Sequence, residues 1–140
     1  MIQDVLLTLK GVQRYQDQEP DTIELVTEGT LERTEEGWNL SYEESELTGL
    51  AGVRTTFLVR PGCITLSRTG NLTSTMVFEE GVPHESLYRM SFGALLLRVC
   101  ATKLRYDLSK TGGTIDLNYS IEIEQTGTGY IDYHLDIQTK

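Results

Sequence analysis

The chain has 140 residues, 39% hydrophobic and 24% charged, enough to bury one core without disulfides or metals and with no disordered or fibrous bias. Its formal net charge of −9 argues against a surface that gathers nucleic-acid phosphates or anionic lipid. The longest apolar run, Ala94 to Leu97, falls far short of the roughly 20 residues of a membrane-spanning helix.

Period-2 alternation dominates the chain from its start, while helical periodicity is hard to find. Val5, Leu7 and Leu9 form the first apolar set, and Gly11 then breaks the phase, as at a bulge. Asp17 to Asp21, with Pro20, reads as a turn. A second strand carries Ile23, Leu25 and Leu31 on one side and Glu24, Glu28 and Glu32 on the other. Gly37 turns the chain into Trp38, Leu40 and Tyr42. Thr48 to Gly52 reads as a loop, and Pro61-Gly62 is a strong turn signal.

Short strands follow over Val53 to Arg60, Cys63 to Thr69, Leu72 to Glu79 and His84 to Phe92. The longest spans Leu95 to Leu108, and its change of apolar phase predicts a bulge near Thr102. The final hairpin is the clearest element. Ile115, Leu117, Tyr119, Ile121 and Ile123 alternate with polar residues, and after a Gly-rich break Ile131, Tyr133, Leu135 and Ile137 do the same. About ten strands joined by short turns leave no room for crossover helices, so their edges must close or stack. The sequence therefore predicts an all-β fold: one domain over residues 1–140, a single antiparallel up-and-down β-barrel of about 8–10 strands.

Four segments carry a family resemblance: Leu40-Ser41-Tyr42-Glu43-Glu44, Leu66-Ser67-Arg68-Thr69-Gly70, Tyr88 to Leu97 (Tyr-Arg-Met-Ser-Phe-Gly-Ala-Leu-Leu-Leu), and Gly113 to Tyr119 (Gly-Thr-Ile-Asp-Leu-Asn-Tyr). In this order the chain resembles the YwiB-like family of uncharacterised bacterial proteins over nearly its whole length. The resemblance implies a lipocalin-like (calycin) barrel and no particular activity, since fold does not fix function.

Strand phase places several polar residues on the inner face. If Trp38, Leu40 and Tyr42 point inward, so does Glu44; Ile64 and Leu66 bring in Arg68, and Tyr88 and Phe92 bring in Ser86 and Met90. Thr55 and Ser74 fall in the same phase. A barrel of this size encloses space for a ligand lined by apolar groups and a few polar ones. Candidate ligand-binding residues are thus Trp38, Tyr42, Glu44, Phe57, Arg68, Tyr88, Met90 and Phe92, with Tyr119 and Tyr133 of the hairpin facing Arg68 and Met90. Arg68 offers a planar fork to an anion, unless Glu44 neutralises it or both reach solvent at their strand ends.

Chemistry finds little support in the residues. Asp132, His134 and Asp136 share a strand face, but alternate residues stand about 6.5–7 Å apart and the opposite face is plainly the core side, so the triplet reads as solvated and not as a metal site. Neither Cys63 nor Cys100 lies in an activating or metal-type motif, and His84 follows Pro83 in a turn. No Gly-rich phosphate loop is present, and no catalytic residue or cofactor is expected. The N-terminus lacks the features of a signal peptide, which makes the cytoplasm the expected location. The reading is a non-enzymatic barrel that holds a small apolar or amphipathic anionic ligand. The alternative is a solid-cored interaction module, compatible with a homodimer; neither nucleic acid nor membrane is an expected partner.

Overall fold

In the computed structural model, which describes residues 2–15, 18–44, 51–90, 93–124 and 127–140 (the Met90 side chain aside), the chain forms ten strands in sequence order. They are β1 (Ile2–Tyr15), β2 (Asp21–Arg33), β3 (Trp38–Glu43), β4 (Val53–Arg60) and β5 (Cys63–Gly70), then β6 (Leu72–Phe78), β7 (Pro83–Met90), β8 (Gly93–Ser109), β9 (Gly112–Ile123) and β10 (Gly127–Thr139). Each strand pairs antiparallel with its sequence neighbours, and β1 also pairs with β10, closing an up-and-down barrel. Closure gives both outer strands a partner, so the sheet has no free edge there. Among the described residues no helix is long and apolar enough to cross a membrane.

Alternation sorts the side chains as the sequence predicts. Leu7, Leu31, Leu40, Phe57, Ile64, Leu66, Phe78, Ile115, Leu117 and Leu135 are fully buried inside. This packed half lies toward the end where β2 turns into β3, β4 into β5 and β8 into β9. Trp38 sits there at the start of β3, buried, with the Arg33 guanidinium 4.9 Å from its ring centroid.

Of the two irregularities the sequence predicts, one is present. The register of β8 against β9 shifts between Ala101 and Lys103, which is the bulge expected near Thr102. Along β1 the ladders to β2 and β10 run without a shift through Gly11, so there is no bulge at that glycine. The inward phase simply continues through Gly11 and Gln13 to Tyr15. The loss of apolar character there marks a change in what lines the interior.

β7 covers only the first part of the longer β8, ending at the Pro83↔Cys100 pair. The connection between β6 and β7 serves the remaining edge. Gly81 N donates to the Ala101 carbonyl at 2.8 Å, and Leu104 N donates to Glu80 Oε1 at 2.8 Å. Arg105 Nη1 reaches the same Glu80 oxygen at 2.5 Å. Main-chain groups beside the bulge are thereby satisfied without a strand partner. Nearby, β6 and β7 share ladder pairs at Leu72↔Met90 and Thr73↔Arg89, and the Ser86 hydroxyl donates to the Thr75 carbonyl at 2.5 Å.

The outer face is laced with charge pairs. Arg14 Nη1 meets Asp132 Oδ2 at 2.7 Å, and His134 lies between Asp116 (2.6 Å) and Asp136 (3.3 Å). The Asp116 hydrogen bond raises the His134 pKa; burial opposes it, and the charges of Asp116 and Asp136 add to the rise. Protonated His134 is therefore favoured in the folded state. That contribution is complete below the ordinary histidine value of about 6.5 and is lost as pH rises through the higher folded value. His134→Gln should lower the melting temperature more at about pH 5.5 than at about pH 8.5, as read by thermal unfolding.

Candidate functional site

The other half of the interior is not filled. A cavity of about 340 Å³ lies toward the end where β1 turns into β2, β3 into β4 and β9 into β10. Its apolar wall includes Leu9, Met76, Leu97, Ile121 and Ile131. Its polar wall is Tyr15, Tyr42, Glu44, Arg68, Tyr88, Tyr119 and Tyr133, with Gln13 beside them. A few polar groups converging in an otherwise apolar pocket is the usual composition of a small-molecule site.

Register explains why the polar groups meet. Tyr42 stands opposite Thr55, Thr55 opposite Arg68, and Arg68 opposite Ser74, so four inward polar side chains follow one another across β3 to β6. Thr55 Oγ1 donates to Glu44 Oε1 at 2.9 Å, fixing the carboxylate. Glu44, Thr55 and Ser74 are all buried. Two atoms of this row, Arg68 Nε and Ser74 Oγ, are buried with no protein hydrogen-bond partner.

The electrostatics follow from that burial. Loss of water disfavours the Arg68 charge, but Tyr133, Tyr119, Tyr42 and Glu44 together more than offset this and raise its pKa. The guanidinium is a permanent cation inside the barrel. Tyr119 is pushed well above the ordinary phenol value by burial, and Tyr42 is raised by burial and by Glu44. These rings are neutral hydroxyl donors at any physiological pH.

Two glycines seat two of the tyrosines. In the β1–β10 ladder Gly11 faces Tyr133 and Tyr15 faces Gly129. A Cβ on Gly11 would stand 3.1 Å from Tyr133 Cε1, and one on Gly129 would stand 2.5 Å from Tyr15 Cε1. Each ring lies over bare backbone, which lets both line the cavity. Tyr119 then lies tilted between Phe78 of the packed half (ring centroids 4.5 Å) and Tyr133 (6.3 Å).

Of the residues expected to form a site, Tyr42, Glu44, Arg68 and Tyr88 line the cavity together. Trp38 and Phe57 are not in its wall; they belong to the packed half, Phe57 stacking behind Tyr42 at 6.5 Å. Phe92 and the Met90 side chain lie outside the described residues. Tyr15, Gln13 and Met76 were not singled out from the sequence. The signal for Tyr15 was the uninterrupted inward phase of β1, obscured by reading Gly11 as a bulge.

Fold and interior define a closed antiparallel barrel, packed at one end and hollow at the other, consistent with the lipocalin-like architecture. The chain belongs to the family described as "Domain of unknown function (DUF1934)", which matches residues 7–137. It is similar to the ywiB protein from Bacillus subtilis, known from a crystal structure, with 24% identity and a TM-score of 0.82. That match covers 96% of this chain and 92% of the other, and it shows the shared fold. No curated protein matches the chain.

Gly11→Val should push Tyr133 off its seat into the cavity and destabilise the barrel by about 1–3 kcal/mol, as overpacking does. Urea unfolding reads the stability, and the Tyr133 ring position reads the cause.

Proposed function

We propose that the barrel interior binds a small amphipathic anion, its acid group on Arg68 and its apolar part against Leu9, Leu97, Ile121 and Ile131. The observation that carries this reading is that the half-buried Arg68 side chain faces the cavity, with its buried Nε unpaired by protein. Leaving a buried donor without a hydrogen-bond partner costs about 1–3 kcal/mol, and a ligand oxyanion supplies the missing partner. The fork geometry of the guanidinium suits carboxylate or phosphate oxygens.

Binding without chemistry is the form this reading takes. His84, the one histidine near the β6–β7 connection, is engaged by Glu79 at 3.0 Å, and His134 sits among carboxylates on the outer face. Neither lines the cavity. The charged pairs around the exterior suit an aqueous compartment, in keeping with the cytoplasm, and not an apolar lipid-facing band.

Arg68→Met distinguishes a ligand contact from a structural residue. It should abolish co-purification of any small anion seen by native mass spectrometry of the protein from its own host, while leaving thermal stability equal or higher. A loss of stability with unchanged ligand would overturn the proposal.

A second reading, an interaction module, draws on Leu87 and Leu96, which face each other across β7 and β8 and are both exposed (46% and 41%). Single apolar side chains on a surface are common, so this pair favours self-association only weakly. Light scattering after size exclusion should show a dimer that Leu87→Lys dissociates if this surface is used, and a monomer throughout if it is not.

A further inference from the structure

Arg68 shares its cavity with a charge of opposite sign. Glu44 lines the same space and is buried, and the Thr55 hydroxyl fixes its Oε1 at 2.9 Å. Tyr42 hydrogen-bonds it as well. Among the described lining residues these are the two formally charged side chains, one positive and one negative. A singly charged acid bound at Arg68 leaves one net negative charge in the cavity. A phosphate monoester, with a charge of about −1.5 to −2 near neutral pH, brings more negative charge than Arg68 neutralises and holds it beside Glu44. Like charges in a poorly solvated interior repel strongly.

Volume adds a second limit. An apolar protein cavity of about 150 Å³ takes one benzene ring, so about 340 Å³ takes on the order of a dozen non-hydrogen atoms. The flat carboxylate also matches the Arg68 fork, with Tyr119 and Tyr133 as neighbouring hydroxyl donors.

We propose that the interior site takes a monocarboxylate of about a dozen non-hydrogen atoms, and that Glu44 excludes a phosphate monoester carrying the same tail. This rests on the interior-site reading of the barrel and adds the ligand's charge class and the residue that sets it.

Titration calorimetry with decanoate, decyl phosphate and decanol at about pH 8 tests the proposal on the unaltered protein. Decanoate should bind at least about tenfold more tightly than either of the others. Glu44→Gln should then strengthen decyl phosphate about tenfold while decanoate changes less than about threefold. If decyl phosphate binds the unaltered protein as well as decanoate, the charge limit is wrong and the interior site stands. If decanol matches decanoate, the role of Arg68 falls with it. If none of the three binds, the interior-site reading and this inference both fail. Should Glu44→Gln not fold, the three-probe comparison on the unaltered protein decides alone.

Discussion

Closure by ten strands is the constraint on which the rest of the molecule depends. Once β1 pairs with both β2 and β10, the circumference is set by the number of strands. Eight strands give an interior just wide enough for side chains to fill, and diameter grows roughly linearly with strand number. Ten strands therefore enclose more room than ordinary side chains occupy. At one end Phe57, Phe78 and Trp38 fill it together with branched aliphatics. At the other end Gly11 and Gly129 give up side-chain volume altogether, and tyrosine rings pack against them. The cavity is the joint result of a wide frame and an economy of volume on β1 and β10.

The row Tyr42, Thr55, Arg68 and Ser74 runs against the logic of a stable core. Polar groups taken from water need partners, and Arg68 Nε and Ser74 Oγ have none within the protein. Apolar residues at these positions would pack a tighter barrel. Under the interior-site proposal, a bound ligand would offset that cost.

Much of this was legible in the sequence. Strict alternation from Ile115 to Ile123 and from Ile131 to Ile137 specifies strands, and the phase switch along β8 located its bulge. The same periodicity sent Glu44, Thr55, Ser74 and Ser86 inward, where the structure places them buried. Period 2 reports only which face a residue takes. It carries no coordinate along the barrel axis, because strand tilt and register set the height of each side chain. Trp38 and Phe57 therefore looked equivalent to Tyr42 and Arg68, although they stand in the filled half. Gly11 failed for a related reason: a glycine in an alternating strand suits a bulge or the close approach of a ring, and only the partner strand tells which.

The pairing of β1 with β10 joins the first strand of the barrel to the last. The two are separated by nearly the whole chain, so this is the contact with the greatest loop entropy to overcome. On a ribosome adding about 5–20 residues per second, β1 has no β10 to meet until the remainder has been made. During those seconds its outer edge and that of the newest strand both remain open to other chains. The seam that closes the finished barrel is thus the last part of it to exist.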